Sequence, residues 1–316
     1  MSILNPHLRA DDGEAVRGMK LRRHAAVASL SVAAALIGVK FIAYMVTDSV
    51  SLMSSLMDST FDALASAVTL FSVIHAATPA DEEHRFGHGK LEAVASLAQA
   101  LFIFGSAAYL FFESIHRFFQ PQAVASADIG IGVMLLSMVL TAALIVFQRH
   151  VIGNTGSVAI GADHAHYRGD LLMNASVLVS LALSYFSDWP YFDPAFAAGI
   201  SLFLLKNAFD IGAQSMDILM DKELPDSDRE NILRLVSAHT SVLSVHDLRT
   251  RHSGHQVFIE FHLEMDGNIS LKAAHDITEE IELILYREFP NAEILIHQEP
   301  AGLDHHRRDE KLTVPV

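Results

Sequence analysis

Long apolar stretches separated by short polar segments dominate the first two thirds of the chain. Two of these stretches, 93–112 and 129–147, contain no charged residue, and 25–47 contains only Lys40. A helix needs about 20 predominantly apolar residues to cross a hydrocarbon core about 30 Å thick. The pattern therefore predicts six membrane-spanning helices, at 25–47, 50–74, 93–112, 129–147, 171–186 and 194–219.

The Lys and Arg residues of the connecting segments predict the orientation of these helices. Cytoplasmic segments of membrane proteins carry an excess of Lys and Arg. Segment 187–193 has no Lys or Arg and 113–128 has only Arg117, whereas the N-terminal segment carries Arg9, Arg17, Lys20, Arg22 and Arg23. We therefore predict a multi-pass membrane protein with both termini in the cytoplasm.

Composition limits the chemistry that the chain can perform. Of its 316 residues, 51% are hydrophobic and 19% charged, and the net charge is −15. This excess of negative charge argues against nucleic-acid binding, because neutralising phosphates requires Lys and Arg. The chain has 18 His and no Cys. A transition-metal ion would therefore be held by imidazole and carboxylate groups rather than by thiolates.

Residues after Asp221 have the pattern of a small soluble domain. Apolar residues alternate with polar or aromatic ones along 256–265, which is typical of a strand with one buried face. Asp226 stands where a helix N-cap is expected. The predicted elements are a helix at 226–238, strands at 243–251 and 256–265, a helix at 271–289 and a strand at 293–297. This αββαβ order predicts an α+β domain.

Ionisable residues within the predicted membrane helices give the first functional signal. Asp58 and Asp62 are four residues apart, and so are His166 and Asp170, so each pair lies on one face of its helix. An ionisable side chain in a membrane helix is costly and is usually functional. Three carboxylates and one imidazole complete a four-coordinate shell for Zn²⁺ or a similar divalent ion. The sequence therefore predicts a metal site between the second and fifth helices.

Two points remain open for this site at the level of sequence. By residue count His166 and Asp170 lie nearer the cytoplasm than Asp58, so helix tilt or a fifth helix extending further outward must bring the two pairs level. The carboxylates could instead pair with Lys40 or Lys206, or be protonated.

Two further groups of residues could bind metal outside the membrane. The loop between the second and third helices contains Asp81, His84 and His88, with Gly87 and Gly89 indicating a fixed turn. An acidic, histidine-containing loop can also be merely solvated. In the soluble domain, His297 and Glu299 are two residues apart on a strand and share a face. The candidate ligands there are His246, His262, His275, His297 and Glu299.

The order and spacing of these motifs resemble the cation diffusion facilitator family, most closely its bacterial zinc and ferrous-iron efflux branch. The resemblance covers about residues 20–302. It implies a protein of the bacterial inner membrane with six membrane helices, a homodimer and a cytoplasmic domain like a metallochaperone. The motifs that carry it are Asp58-Ser-Thr-Phe-Asp62, Asp81-Glu-Glu-His84-Arg-Phe-Gly-His88-Gly-Lys90, His166-Tyr-Arg-Gly-Asp170, His246-Asp-Leu-Arg-Thr250 and Ile296-His-Gln-Glu-Pro300.

The resemblance also implies roles for particular residues. Asp58, Asp62, His166 and Asp170 match the family's transport site, and Asp81, His84 and His88 match its loop site. Lys90 and Asp221 match a pair that locks the dimer near the inner membrane surface. The cytoplasmic dimer-interface site maps onto His246, His262, His275, His297 and Glu299.

One position departs from the pattern of the resembling proteins. Glu299 stands where the branch usually carries Asp, and the added methylene shifts the carboxylate oxygens by about a bond length. We therefore expect fewer or weaker metal ions in this domain than in relatives that carry Asp there. Whether Glu299 supports a two-metal site is not decided by the sequence.

The resemblance also implies a division of the chain into domains. The predicted parts are a cytoplasmic N-terminal segment (1–23), a six-helix transmembrane domain (24–220), a cytoplasmic metal-binding and dimerisation domain (221–302) and a flexible tail (303–316).

The sequence predicts efflux of a divalent cation in exchange for protons. Zn²⁺ suits one imidazole with three carboxylates, and Cd²⁺, Fe²⁺, Co²⁺ or Mn²⁺ are also possible. Protons are the expected counter-substrate, lipid and a second copy of the chain are the expected partners, and no enzymatic activity is expected. Two alternatives are a membrane metal sensor or scaffold that does not transport, and an intramembrane metal-dependent hydrolase.

Overall fold

The computed structural model describes residues 8–47, 50–119, 128–186, 191–254 and 256–302. The chain divides into two compact units, residues 1–216 and residues 217–316. The predicted flexible tail, 303–316, and the first seven residues of the predicted N-terminal segment lie outside the described residues.

The first unit is built from six long helices. The predicted N-terminal segment does not stand apart from them, because α1 already begins at Leu8 and continues without a break into the first apolar stretch. The helices are α1 (Leu8–Thr47), α2 (Val50–Ala76), α3 (Leu91–Phe119), α4 (Asp128–Thr155), α5 (Val158–Phe186) and α6 (Phe192–Leu219).

Five of the six helices are long and apolar enough to cross a membrane. These spans are Val16–Val46 in α1, Ser55–Ala76 in α2, Leu91–Phe119 in α3, Ile131–Thr155 in α4 and Pro194–Leu219 in α6. Helix α5 has the length, at 29 residues, but its first half carries Asp163, Arg168 and Asp170. Those charges lower its hydropathy, and one of them, Asp170, is a candidate metal ligand.

Helix α5 begins well before the apolar stretch that predicted it. Helix α4 ends at Thr155, and Gly156 adopts a left-handed conformation with φ +60°, which glycine tolerates without steric cost. The Ser157 hydroxyl then accepts the backbone N–H of Ile160 at 3.4 Å, as an N-cap side chain does. The chain therefore turns sharply at Gly156, and α5 starts at Val158 rather than at Leu171.

A buried ion pair joins three of the helices near one end of the bundle. The Arg22 guanidinium of α1 donates to Glu92 of α3 at 2.9 Å, and the Ser157 hydroxyl donates to the other Glu92 oxygen at 2.5 Å. Arg22 and Glu92 are 6% and 2% exposed. The apolar cluster beside them includes Ala25, Val73 and Ile160, all fully or almost fully buried.

The second unit is a three-stranded sheet with two helices. Strand β2 is central, β1 pairs with it antiparallel, and β3 pairs with it parallel. The predicted αββαβ order is confirmed. The elements are α7 (Asp226–Ser237), β1 (Ser244–Ser253), β2 (Gln256–Met265), α8 (Leu271–Glu288) and β3 (Ala292–Pro300).

Alternation along β2 separates a buried face from a polar face. Ile259, Phe261 and Leu263 are at most 1% exposed and pack with Ile281 and Leu285 of α8. His262 lies between two of these residues, and successive side chains of a strand point to opposite faces. The face of the sheet that carries His262 is therefore the one turned away from the apolar core.

A β-bulge in β1 lets one strand supply both the polar face and the core. His246 pairs with His262 and Arg249 pairs with Glu260, so β1 has one more residue than β2 in this interval. Asp247 takes up the extra residue in a left-handed conformation, φ 54°. Because a bulge changes the alternation, Leu248 joins the apolar core while His246 joins the polar face.

The predicted N-cap at Asp226 is wrong. Pro225 occupies the N-cap position without a side-chain hydrogen bond, and Asp226 is the first residue of α7. Proline fits the start of a helix because the first N–H groups have no partner within the helix. Asp226 and Asp228 instead place negative charge in the first turn, where the helix dipole favours it.

Candidate metal centres

Three of the four predicted intramembrane ligands converge between α2 and α5. His166 Nε2 lies 3.0 Å from Asp62 Oδ1 and 3.7 Å from Asp170 Oδ2. One ligand atom from each of the three residues lies within 4.8 Å of the others. Helix α5 continues for more residues beyond His166 than α2 has before Asp62, so the longer α5 brings the two pairs level.

Asp58, the fourth predicted ligand, lies outside this group of three. It is exposed, and it lines the same open cavity of about 650 Å³ as Asp62, His166 and Asp170. Asp58 and Asp62 are one helical turn apart, about 6 Å along the axis. A cation in the cavity is therefore within reach of Asp58 only if that side chain or the ion moves towards the other.

Neither lysine forms a direct ion pair with these carboxylates among the described residues, although Lys40 lines the same cavity and its charge acts on all three aspartates. Lys40 Nζ donates to Ser59 Oγ at 2.6 Å and to the Ser55 carbonyl at 3.1 Å. Lys206 instead pairs with Asp210 on its own helix at 2.5 Å. Neither ammonium group lies within 4 Å of the three predicted aspartates, all of which the structure describes.

Sequence reasoning missed Asp163, a fourth acidic residue close to this site. It lies three residues before His166 on α5 and is completely buried. Its carboxylate accepts Gln148 Nε2 at 2.7 Å, Gln99 Nε2 at 3.1 Å and Ser66 Oγ at 3.4 Å. The signal was available: Asp163 is seven residues before Asp170, so the two lie on one side of the helix.

The loop between α2 and α3 brings its three candidate ligands together. Asp81 Oδ1 lies 3.5 Å from His84 Nδ1, and Asp81 Oδ2 lies 3.5 Å from His88 Nε2. Gly87, with φ +74°, closes the turn by donating to the His84 carbonyl at 2.9 Å. The backbone N–H of His84 donates to Asp81 at 2.6 Å and is the main reason that the pKa of this carboxyl lies below its usual value.

The candidate site of the second unit, predicted to be cytoplasmic, lies on the polar face of the sheet. Glu299 Oε1 is 2.7 Å from His262 Nδ1 and 3.3 Å from His297 Nε2, and Glu299 Oε2 is 3.4 Å from His246 Nε2. Strand pairing produces the cluster, because His262 stands opposite His246 on one side and His297 on the other. The Glu299 side chain is only 6% exposed, so it reaches inwards among the three histidines.

The remaining predicted residues are not part of these groups. The structure does not bring His275 into the cytoplasmic cluster: its side chain is 64% exposed on α8 and lies 3.4 Å from Glu279. Lys90 belongs to the first unit and Asp221 to the second, so their proposed pairing stays a prediction. Asp221 adopts a left-handed conformation, φ 57°, at the end of the turn after α6.

The donor sets and their spacing fit Zn²⁺. Zinc bonds of 2.0–2.2 Å to nitrogen and oxygen in a tetrahedron place neighbouring ligand atoms about 3.4 Å apart. The separations of 3.3 Å (His297 to Glu299), 3.4 Å (His246 to Glu299) and 3.5 Å (Asp81 to both loop histidines) are close to this value. At the intramembrane site, 3.0 and 3.7 Å lie on either side of it. The 2.7 Å from His262 to Glu299 is shorter and is the length of a direct hydrogen bond.

Comparison with known proteins decides the family. The model of the cation efflux transmembrane domain matches residues 26–220, and that of the cation efflux protein cytoplasmic domain matches residues 224–301. The chain belongs to the cation efflux family. The resemblance to cation diffusion facilitators is thereby confirmed, and the chain is a membrane transporter rather than an enzyme.

Individual relatives extend over nearly the whole chain. Cation-efflux pump FieF of Klebsiella pneumoniae is 42% identical over 284 residues, which cover 90% of this chain and 94% of the relative. FieF of Salmonella schwarzengrund is 40% identical over the same shares. Among solved structures, the metal-bound C-terminal domain of the CzcD transporter from Thermotoga maritima is 28% identical. It covers 26% of this chain and 100% of its own, with a TM-score of 0.24.

Proposed function

We propose that this chain exports Zn²⁺ in exchange for protons, by alternating access at Asp58, Asp62, His166 and Asp170. The observation that carries the proposal is the convergence of Asp62, His166 and Asp170 on one open cavity within the helical unit. Cation efflux is the activity of the family, and FieF relatives are named as cation-efflux pumps. Cd²⁺, Fe²⁺, Co²⁺ and Mn²⁺ are further candidate cargo ions because each accepts imidazole and carboxylate ligands.

Proton exchange follows from the chemistry of the ligands. Metal ligands must be deprotonated, so the binding of the ion releases protons and protonation of the site releases the ion. Imidazole binds either a proton or a metal ion through the same ring nitrogen, which makes His166 a natural point of competition between H⁺ and Zn²⁺. A site open to the periplasm would gain protons and lose metal, and a site open to the cytoplasm would do the reverse.

The two other centres have a regulatory or structural role in this proposal. Asp81, His84 and His88 lie in a loop, and the His246–His262–Glu299 cluster lies in the separate second unit. We propose that metal at the second cluster stabilises a homodimer, with Lys90 and Asp221 pairing at the membrane surface. The matching cytoplasmic-domain family model supports an assembly through this unit.

The location follows from the family and the sequence together. The chain is a multi-pass membrane protein of a bacterial efflux family. We propose the inner membrane, with both termini in the cytoplasm, because Lys and Arg are concentrated in the N-terminal segment and in the loop after α2.

Metal flux into proteoliposomes tests the transport site. Asp62→Ala and Asp170→Ala should each abolish Zn²⁺ uptake, because removing one of four ligands greatly weakens binding of the ion. The matched control is Glu113→Ala, which removes an acidic side chain of α3 that pairs with Arg117 at 2.9 Å. It should transport at the wild-type rate.

The same assay distinguishes a transporter from a metal sensor that does not transport. Near-normal uptake by either Asp62→Ala or Asp170→Ala would move the transport site elsewhere. Zn²⁺ binding without any uptake by the wild-type protein would identify a sensor rather than a transporter. If uptake does not respond to an imposed pH gradient, the proposal of metal export stands but the proposal of proton exchange is wrong.

A further inference from the structure

Asp163 is the centre of a buried polar network beside the transport site. Its carboxylate is completely buried, and the residues that contact it are at most 3% exposed. Each of the helices α1 to α4 contributes a side chain to this network, either directly or through one neighbour: Ser29 of α1, Ser66 of α2, Gln99 of α3 and Gln148 of α4.

A short chain of hydroxyl groups connects this carboxylate with the metal cavity. Ser66 Oγ lies 3.4 Å from Asp163 Oδ1 and 2.9 Å from the Tyr167 hydroxyl. Tyr167 lines the cavity that also contains Asp62, His166 and Asp170. Hydroxyl groups both donate and accept hydrogen bonds, so they can pass a proton between the cavity and Asp163.

No Arg or Lys side chain forms an ion pair with the carboxylate among the residues that the structure describes, and the neighbour that can carry positive charge is His166. The groups that face Asp163 from the packed helices are neutral hydroxyls and amides, and none of them is Arg or Lys. The titratable neighbours on α5 are Tyr167 and His166, and His166 lies about one turn after Asp163. Residues at i and i+3 of a helix are about 5–6 Å apart at Cβ, so the charge on Asp163 acts directly on the site that His166 helps to form.

A purely structural role does not require an ionisable group here. An asparagine would have nearly the same size and avoid the cost of a carboxylate in a membrane helix. Its oxygen would accept from one glutamine amide, and its NH2 group would donate to the oxygen of the other after that amide rotates. In the present arrangement the amide oxygens of Gln99 and Gln148 are buried without a partner. A protonated Asp163 would supply a donor for one of these oxygens after rotation of the amide, so the network has partners for both states of the carboxyl.

We propose that Asp163 is a proton-binding group that couples proton exchange to metal binding at the neighbouring site. This inference rests on the proton-exchange function proposed above. With Asp163 ionised, its negative charge beside His166 favours a bound cation. With Asp163 protonated, that attraction is lost and the metal ion dissociates more readily. One proton is thus taken up when the ion leaves and is released when the next ion binds.

Proton release on metal binding is the direct test. Zn²⁺ is added to the purified full-length protein in weakly buffered detergent solution, and an indicator dye reports the protons released for each ion bound. The release that persists in Asp62→Ala comes from the other metal centres and is subtracted. Asp163→Asn should release up to one proton fewer than the wild type, and the logarithm of its Zn²⁺ affinity should change less steeply with pH.

Transport measurements separate coupling from simple damage to the fold. Asp163→Asn should lose the acceleration of Zn²⁺ uptake by a pH gradient but keep exchange of labelled against unlabelled Zn²⁺. Equal loss of both would show a structural role and overturn the inference. Unchanged proton release would also overturn it. Glu113→Gln, the matched control on α3, should behave like the wild type in every assay.

A second variant covers the case in which Asp163→Asn does not fold. Gln99→Leu removes one of the donors that stabilise the ionised carboxylate, so the pH at which Zn²⁺ affinity changes should move upward. An unmoved pH dependence would contradict the inference. If the wild type itself shows no response to a pH gradient, proton exchange fails as the function, and this result differs from any outcome seen only in the Asp163 variants.

Discussion

Glu299 offers a sharp test of the cytoplasmic cluster, because its two carboxylate oxygens reach different histidines. Oε2 lies 3.4 Å from His246 Nε2, whereas Oε1 lies 2.7 Å from His262 Nδ1 and 3.3 Å from His297 Nε2. Two of these separations are close to the edge of a zinc tetrahedron, about 3.4 Å. Replacement by aspartate withdraws the carboxylate by about 1.5 Å, the length of one carbon–carbon bond.

The expected loss of affinity follows from this geometry. Metal ligands tolerate errors of only about 0.2 Å, so a withdrawal of about 1.5 Å removes the carboxylate as a ligand unless the backbone moves. A structural zinc site with four ligands binds with about 10–16 kcal/mol, which is about 3 kcal/mol for each ligand. Glu299→Asp and Glu299→Ala should therefore each raise the Zn²⁺ dissociation constant by about 100-fold.

Competition with a chelating dye on a fragment of residues 222–316 measures this change. The fragment contains the complete apolar core of the second unit. Glu293→Asp is the matched control, since Glu293 lies on the same strand and its side chain accepts a hydrogen bond from Gln256 Nε2 at 3.3 Å. The sequence alone led us to expect tighter binding with aspartate. Equal or tighter binding by Glu299→Asp would refute the geometric reasoning and restore that expectation.

Three further predictions concern other parts of the chain. His166→Asp should favour Mn²⁺ over Zn²⁺ in uptake assays and move the pH dependence of uptake to lower pH, since an all-carboxylate shell is harder and lacks imidazole; an unchanged metal preference and pH profile would contradict this. Arg22→Met should lower the free energy of unfolding by about 3–5 kcal/mol, because it leaves the Glu92 carboxylate buried without its cation. The double variant Arg22→Met with Glu92→Met should lose less stability than the single variant when both are unfolded thermally in detergent. The backbone N–H of His84 lowers the pKa of Asp81, so as the pH falls the turn that Asp81 holds should persist below the ordinary pKa of a carboxyl group and be lost only at the lowered pKa. Histidine NMR shifts of the loop measure this, and loss of the turn already at the ordinary carboxyl pKa would show that the hydrogen bond does not form.

The sequence predicted most of the fold because both units follow simple periodicities. Long apolar runs indicated the helices, and alternation in 256–265 indicated β2 with its buried face. The start of α5 could not be found in this way, because Asp163, Arg168 and Asp170 interrupt the apolar pattern of a helix that is continuous from Val158. Tertiary contacts, rather than local hydropathy, accommodate these charges.

The candidate ligands were predicted better than their grouping. Spacing alone correctly placed His297 and Glu299 on one face, but it could not show that His275 on α8 is directed towards Glu279 instead. The bulge at Asp247 was also beyond the sequence, because a left-handed aspartate within a strand has no distinct local pattern. Asp163 was overlooked because it lacks a partner at i+4 that would have marked it as half of a pair.

The pairing of the three strands has a consequence for the folding of the second unit. His246 and Glu299 come from its first and last strands, and β3 reaches its place beside β2 only after the chain has passed through α8. A metal ion held by both residues would cross-link the chain across the stretch 246–299, much as a disulfide does. In the chain-entropy description, closing a loop of about 50 residues stabilises the folded state by about 4 kcal/mol. Zinc supply in the cell would then set how long the domain survives proteolysis as well as how it assembles.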